Sequence, residues 1–354
     1  MQPTEPVRGL WFKRDSLNQA SAESYLERTM QNHDLSQASQ PNINFAEAPI
    51  VEFNSVRYTE ILEPNTALVS DNINDPDINV WVRGYGGSNP SGASKGRYAD
   101  VNSGGVQLGF DVPLSQQSRI GLFGTYAALY GNDGSRGSWD ADGWGGGGYA
   151  EYWGDDFYLR GMISAGAYAG VHSRNVNGDT ARGERSGNSW TGVISIGAPF
   201  DAGDWIIEPE ALVSYTNTNL DKFSEHGVDR ERRLRYHEMG LDQYGSQLSV
   251  KLAYPVRDGQ RSLFLPSLRL GWVTDWGRQG SDQQKVTFLE SGYSHSYGIN
   301  SDFDHGALVE LGIDYSAYNF TDTSIGAYVR GGAVLWGGDR GTSWQVSGGL
   351  NFRF

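Results

Sequence analysis

The chain contains no cysteine, no long hydrophobic run and fewer basic than acidic residues. Without cysteine it can form neither a disulfide framework nor a thiolate zinc site, and it lacks a cysteine nucleophile. The absence of any stretch of about 18 apolar residues excludes a transmembrane helix. Its 28 Lys and Arg against 42 Asp and Glu give a net charge of −14. This balance argues against nucleic acid as a partner, because binding phosphates needs clustered cations.

Two further classes of feature are missing. The first five residues lack the basic start and the apolar stretch of a secretory signal, so we expect none in this sequence. The six histidines show no HxH or HxxxH spacing, so we expect neither a metal site nor a cofactor. The sequence does have 48 glycines together with 19 Tyr, 14 Phe and 11 Trp. This composition is typical of an all-β protein, either soluble or in the outer membrane.

The composition of the chain changes near residue 78. Residues 1–56 are polar and irregular, with one helical pattern at 15–30, and we interpret them as a passenger remnant or linker that is partly helical or disordered. From residue 79 to residue 354, runs with period-2 alternation follow one another and are separated by turn clusters. We predict twelve strands, at about 79–88, 102–113, 118–131, 138–153, 157–173, 186–200, 205–219, 240–256, 261–277, 300–317, 322–336 and 341–354.

The connections between these strands differ by parity. Those after even-numbered strands are short, and those after odd-numbered strands are mostly long and polar, as at 89–101, 174–185, 220–239 and 278–299. An outer-membrane barrel has short periplasmic turns and long external loops, whereas a soluble sandwich has no reason to sort its loops in this way. We therefore predict a transmembrane antiparallel β-barrel.

The two faces of the strands support this prediction. In the last strand Trp344, Val346 and Leu350 share one face, and Gln345 and Ser347 share the other. Aromatic residues near both strand ends resemble the girdles that flank a lipid-facing band. A soluble barrel would instead bury the apolar face, and periodicity alone does not separate the two arrangements.

Several stretches of the 79–354 region resemble the translocator β-domain of autotransporters, the type V secretion family. They are WVRGYGG at 81–87, GVQLGFD at 105–111, GYAEY at 148–152, IEPEA at 207–211, FSEHG at 223–227 and the C-terminal SxGxxFxF at 347–354. The resemblance implies an outer-membrane barrel of twelve strands, a segment that threads its lumen and an N-terminal passenger that is exported to the cell surface.

The same resemblance implies how the domain is assembled, which partners it has and that it is not an enzyme. The C-terminal residues Ser347, Gly349, Phe352 and Phe354 look like the signal read by the β-barrel assembly machinery. The implied partners are that machinery, outer-membrane lipids and the chain's own passenger, with the barrel itself a monomer. The domain is expected not to be an enzyme.

If the apolar faces contact lipid, the opposite faces line the lumen and hold nearly balanced charges. We expect these residues to line the lumen and contact the passenger segment, because interleaved charges of opposite sign pair whereas like charges crowded together repel. A hydrated interior with a purely structural role, and a carboxylate that assists passenger cleavage, are the alternatives. The acids are Asp111, Glu151, Glu208, Glu210, Glu310 and Asp314, and the bases are Arg160, Lys251, Arg269, Arg330 and Arg353.

Residues 57–78 are predicted to thread the lumen. This stretch mixes apolar residues with several acids and asparagines, which suits a polar lumen but neither lipid nor a dry core. Twelve strands also enclose more space than side chains alone fill in small eight-stranded barrels. A helix and an extended thread are both open for this segment.

Glycines in the strands have a structural interpretation. The cluster at 143–148 lacks the GxxxxGK[ST] pattern of a phosphate loop. We expect interior glycines to make room for tyrosine rings of the next strand, with Tyr149, Tyr158 and Tyr168 as candidates.

Two other functions are compatible with parts of the sequence. A small outer-membrane porin or passive channel shares the strand pattern but gives residues 1–78 no role. A soluble β-rich binding domain shares the alternation but not the parity of the loops.

Overall fold

The computed structural model describes residues 78–353, apart from ten short gaps. The predicted passenger remnant at 1–56, with its helical pattern, and nearly all of the predicted lumen segment at 57–78 lie outside the described residues, as does Phe354. Among the residues that the structure describes, no helix is long and apolar enough to cross a membrane. The gaps are at 94–96, 116, 133–136, 155, 177, 259–261, 280–282, 299–302, 319–323 and 338–340.

Twelve long strands form a closed antiparallel barrel, which confirms the predicted fold and strand number. Each strand pairs with its neighbours in chain order, and the first strand pairs with the last, with Asn79 opposite Arg353. The barrel strands are β1 (Asn79–Ala93), β2 (Arg97–Ser115), β3 (Ser118–Asn132), β4 (Gly137–Trp153), β5 (Tyr158–Val176), β6 (Asp179–Gly197), β8 (Trp205–Leu220), β11 (Met239–Ala253), β13 (Ser262–Gln279), β16 (Asp304–Tyr318), β17 (Ser324–Trp336) and β18 (Thr342–Arg353).

Six short strands lie in the connections. β7 (Phe200–Ala202) and β12 (Val256–Asp258) form small hairpins at the short-turn end of the barrel, where the chain also enters β1 and leaves β18. At the opposite end, the two long connections contribute a separate four-stranded sheet and a 3₁₀ turn at Arg230–Arg232. The strands of this outer sheet are β9 (Phe223–Ser224), β10 (Leu234–Tyr236), β14 (Gln283–Phe288) and β15 (Ser294–Gly298).

The outer wall of the barrel is apolar. In β18, Trp344 and Val346 are each 52% exposed, whereas Gln345 and Ser347 between and beside them are buried. Similar rows of exposed Leu, Ile, Val and aromatic side chains run along the other strands. This is the reverse of a soluble barrel, whose apolar residues face inward. The soluble alternative therefore does not fit the structure.

Two of the predicted long loops are wrong. β1 extends to Ala93 and β2 begins at Arg97, so these two strands cover most of 89–101. β5 extends to Val176 and β6 begins at Asp179, so these two strands cover most of 174–185. These segments are polar and therefore lack the alternation of apolar and polar residues by which the sequence analysis recognised strands. They still form strands, because backbone hydrogen bonds pair strands beyond the lipid band without apolar side chains. The turn after β5 includes Gly178, whose φ of 96° favours glycine.

The predicted glycine–tyrosine pairs are confirmed. Gly121 lies opposite Tyr149 on the neighbouring strand, and a Cβ added to this glycine would collide with the tyrosine ring. Gly197 accommodates Tyr158 in the same way, and Gly187 accommodates Tyr168. The rings lie flat along the inner wall because the glycines opposite them have no side chain.

Candidate functional site

The predicted lumen residues all lie on the inner face of the barrel. Each is at most 6% exposed, and most of them belong to the half of the barrel nearer the short turns. We call this set the charged belt. It comprises Asp111, Glu151, Arg160, Glu208, Glu210, Lys251, Arg269, Glu310, Asp314, Arg330 and Arg353.

Two acids flank two bases on one side of the belt because of the strand register. Glu208 on β8 lies opposite Lys251 on β11, which lies opposite Arg269 on β13, and Arg269 lies opposite Glu310 on β16. The Lys251 Nζ is 2.5 Å from the Glu208 Oε2, and the Arg269 Nε is 3.9 Å from the Glu310 Oε1. Opposite charges on directly facing residues stabilise a sheet, so each of the two bases, which face each other, also has an acid directly opposite on its other side.

The other side of the belt is organised around Asp111 at the end of β2. Its carboxylate accepts hydrogen bonds from the Arg119 Nε at 2.5 Å, the Asn79 Nδ2 at 2.7 Å and the Tyr149 hydroxyl at 2.8 Å. The Tyr149 hydroxyl in turn accepts a hydrogen bond from the Trp81 Nε1 at 2.9 Å. This network ties the start of β1 to three following strands, at the point where the chain enters the barrel.

Two further ion pairs complete the belt. The Arg330 Nη2 on β17 donates to the Asp314 Oδ1 on β16 at 2.6 Å. Glu151 and Arg160 face each other on β4 and β5, with the carboxylate oxygen and the guanidinium Nε 3.8 Å apart. Removing one member of a buried pair leaves an uncompensated charge and typically costs about 3–5 kcal/mol.

Tyr158 lies between two carboxyl groups of β8. Its hydroxyl is 2.7 Å from the Glu208 Oε1 and 2.7 Å from the Glu210 Oε2. A phenol has a single proton, so it donates to one of these groups, and the second contact requires a proton on the other carboxyl. The Arg160 guanidinium lies 3.7 Å from the centre of the Tyr158 ring, which places a cation beside both acids.

The sequence analysis missed two members of the inner wall, Arg83 and Arg119, and the carboxyl contacts of a third, Tyr158. Arg83 on β1 is buried and donates from its Nε to the Gln107 Oε1 at 2.5 Å. Arg119 pairs with Asp111, and Tyr158 joins the two glutamates. Arg83 shares its face with two aromatic residues, which masked its position, although the period of two in β1 was sufficient to place it.

The outer half of the lumen contains an apolar cluster beside buried polar residues such as Gln243 and Asp275. Inward-facing residues near the outer ends of five barrel strands are buried and pack against the inner face of the outer sheet, including Phe223 and Tyr236. The rings of these two residues stack with centres 4.6 Å apart. Burial, followed by the nearby Glu225 carboxylate, raises the pKa of Tyr236 well above its usual value. The barrel residues are Leu129, Leu220, Leu241, Leu308 and Val334.

One ion pair fastens the outer sheet to the barrel wall. The Arg174 Nε and Nη2 on β5 donate to the two oxygens of Glu225 at 2.8 and 2.6 Å. Glu225 also accepts a hydrogen bond from the Leu234 backbone N–H at 2.8 Å, and Arg174 donates to the Arg232 carbonyl at 2.9 Å. Bidentate pairs of this kind are strong and directional, so the outer sheet has a defined position over the lumen.

The predicted assembly signal lies in β18. Ser347 faces inward and is buried, and the space beside Gly349 is occupied by the Tyr328 ring. Phe352 faces outward and is 40% exposed, consistent with a place at the membrane boundary. No group of three or more metal-ligating side chains occurs among the residues that the structure describes.

A closed antiparallel barrel with an apolar outer wall and a charged interior defines an outer-membrane transport barrel. The chain belongs to the autotransporter β-domain family, whose family model matches residues 80–329. The domain is therefore an outer-membrane translocator domain, and the translocator domains of this family are transport modules rather than enzymes.

Known proteins agree with this assignment. The probable autotransporter YcgV of Escherichia coli K12 is 25% identical over 300 residues, which are 78% of this chain and 28% of that protein. The chain thus spans 28% of the length of this curated relative. The translocator domain of NalP from Neisseria meningitidis has a TM-score of 0.60 at 15% identity, covering 80% of this chain and 90% of that chain. The β domain of the Bordetella autotransporter BrkA has a TM-score of 0.55 at 20% identity, covering 79% and 99%. These two likenesses concern the fold.

Proposed function

We propose that this barrel exports an N-terminal passenger to the cell surface and holds the end of that passenger in its lumen, with residues 57–78 inside the barrel. The observation that carries the proposal is the charged belt at the end of the barrel where β1 begins. A chain segment that precedes Asn79 meets this belt first, since β1 starts at the short-turn end. Short turns are typical of the periplasmic side.

The belt suits a polypeptide that is polar and partly acidic. Its acids and bases together offer both hydrogen-bond donors and acceptors to a backbone. The segment carries Glu60, Glu63 and Asp71, for which Arg160 and Arg330 in the belt are partners of opposite sign. On this proposal, the nearly equal numbers of acids and bases in the belt hold such a segment without binding it irreversibly.

The same proposal includes the partners of the barrel. Outer-membrane lipids cover the apolar wall. The assembly machinery reads the C-terminal residues Ser347, Gly349, Phe352 and Phe354. The barrel functions as a monomer, because its closure leaves no long strand edge open for pairing with a second copy.

The absence of natural cysteine allows a direct test of the lumen segment. Single cysteines at Leu62, Ala67 and Asn72 are each combined with Ser195→Cys, which faces the lumen beside Arg160. A short bis-maleimide should link at least one of these pairs in intact outer membranes.

The matched control replaces Ser195→Cys by Ile196→Cys, which is one residue further along β6 and 49% exposed on the outer wall. No link is expected with this control. If none of the three positions links to residue 195, or if the control links equally well, residues 57–78 do not occupy the lumen and the proposal is wrong in this respect.

Export is tested separately with an epitope fused before residue 1. On intact cells an antibody should bind this epitope but not the same epitope inserted at Gly203, in a short turn assigned to the periplasmic side. An N-terminal epitope that becomes accessible only after the outer membrane is opened would contradict export of the passenger.

A further inference from the structure

The outer sheet presents a second face, opposite to the one that packs on the barrel. Phe223, Tyr236 and Val286 face the barrel and are buried, so the residues that alternate with them face away. Arg235 and Lys285 are among these outward residues, and both are exposed. The sheet lies at the end of the barrel opposite the start of β1 and the end of β18, so this face is turned to the external solution if the short turns are periplasmic.

Cationic and hydrogen-bonding side chains are concentrated on this outward surface. We call it the basic face and define it by Lys222, Arg235, His237, Lys285, Thr287 and Ser294. The register places Arg235 opposite Thr287 and Thr287 opposite Ser294, while the His237 backbone N–H donates to the Lys285 carbonyl. Residues from four separate segments thus converge on one face.

The polar groups of the basic face are held in position by one another. The His237 Nε2 lies 3.0 Å from the Thr287 hydroxyl, which lies 2.8 Å from the Ser294 hydroxyl. Burial lowers the pKa of His237, and the nearby Lys285 and Arg235 charges lower it further, against the opposing effect of Glu238. The cations therefore lie in one another's electric field, which an anionic ligand would relieve.

Two arginines on the same side of the molecule lie outside the basic face. The Arg230 Nε is 3.2 Å from a Glu290 oxygen, and the Arg232 Nη1 is 3.3 Å from an Asp179 oxygen. The basic face brings Lys222, Arg235 and Lys285 together on one surface of a chain whose net charge is −14.

We propose that the basic face binds a soluble anionic polysaccharide, with the Arg235 and Lys285 cations contacting sulfate, phosphate or carboxylate groups and the hydroxyls of Thr287 and Ser294 contacting sugar hydroxyls. Charge complementarity requires a polyanion, and the hydroxyl row suits a saccharide. Single-stranded nucleic acid favours aromatic stacking platforms, and none of the six residues is a Phe, Tyr or Trp. This site goes beyond translocation and does not depend on the lumen segment.

The full chain in detergent is applied to immobilised dextran sulfate, with uncharged dextran as the reference polymer. We expect binding to dextran sulfate alone, weakening as salt is raised, because binding a polyanion releases its counterions. The double variant Arg235→Ser/Lys285→Ser should bind about tenfold more weakly at about 0.1 M salt, since each exposed cation contributes modestly.

The control variant Arg230→Ser/Arg232→Ser removes the same charge from the same side and should change binding less than about twofold. Folding of all variants is checked by the heat-dependent gel shift of barrels. Equal loss in both variants, or no binding to dextran sulfate by the unaltered chain, overturns the proposal.

Two other occupants are distinguished in the same assay. If lipopolysaccharide vesicles compete more strongly than soluble dextran sulfate, the ligand is a membrane glycolipid and the proposal is wrong about its source. If the full-length variant Asp34→Asn/Glu47→Gln/Glu52→Gln binds dextran sulfate more than about tenfold tighter, the chain's own acidic segment covers the face, which also overturns it. Unchanged binding of this variant supports the polysaccharide.

Discussion

The two halves of the lumen are filled by different kinds of side chain. The half near the short turns holds most of the charged belt, in which the acids Glu208 and Glu310 flank the bases Lys251 and Arg269. The outer half contains an apolar cluster that packs against the outer sheet, next to buried polar residues such as Gln243 and Asp275. Charged groups retain water and polar partners, whereas an apolar cluster excludes both. The comparison indicates a hydrated compartment that suits a passing chain and an apolar closure at its outer end.

The largest expected effect comes from the ion pair that fastens this closure. Glu225→Arg places a second cation beside Arg174 and removes the acceptor of the Leu234 N–H. We expect about 3–5 kcal/mol less stability for docking of the outer sheet. Hydrogen exchange of residues 223–236 should then become much faster while the barrel strands keep their protection.

Glu231→Arg is the control for this change, because it makes the same charge reversal on an exposed residue of the same connection. It should leave exchange nearly unaltered. Unchanged protection in Glu225→Arg would show that apolar packing alone holds the sheet.

A smaller effect is expected in the charged belt. Lys251→Ala leaves Glu208 without its 2.5 Å partner and should cost about 3 kcal/mol. The double variant Lys251→Met/Glu208→Gln removes both charges together and should cost much less, because no unpaired ion is left behind.

The temperature at which each folded barrel changes its gel mobility measures this difference. A double variant as unstable as Lys251→Ala would indicate that the belt depends on shape rather than on charge pairing, and the contrast between the two halves would weaken.

Replacing a glycine of a glycine–tyrosine pair should lower the stability of the barrel by about 1–3 kcal/mol. In Gly121→Ala the new Cβ collides with the Tyr149 ring, so the ring must leave its position and its hydrogen bond to Asp111 is disturbed. Gly124→Ala on the same strand meets nothing closer than 4.0 Å and serves as the control. Equal gel-shift temperatures for the two variants would contradict this account.

The smallest effect concerns His237 on the outer sheet. Its pKa is lowered in the folded protein, so the folded state binds this proton less readily than the unfolded state does. The folded protein therefore has its full stability above a pH of about 6.5, where His237 is neutral in both the folded and the unfolded state. Its stability falls as the pH drops below that value, because the unfolded state then binds the proton more readily. Arg235→Ser/Lys285→Ser should raise the pKa toward 6.5 in an NMR titration of the imidazole, and a lower pKa would contradict the mutual influence of these charges.

The period of two in the sequence was enough to place most of the barrel and the belt. It predicted which faces of β8 and β18 are apolar, and therefore that Glu208 and Glu210 point inward. It did not reveal the outer sheet, because β9 and β10 have only two and three residues and pair with segments distant in the chain. It placed Tyr158 inside the barrel but missed its contacts with two glutamates, because these depend on how neighbouring strands are arranged, which no local pattern contains.

The pairing of β1 with β18 gives the barrel a seam between its first and last strands. Asn79 and Arg353 are 353 − 79 = 274 residues apart in the chain, so the β1–β18 pairing closes the longest loop of any strand pair described and carries the largest loop-closure entropy. While the seam is open, two strand edges are available for pairing with any other chain. The pairing of β18 with β1 therefore removes the last open edges of the barrel, which makes closure a protection against aggregation as well as a structural step.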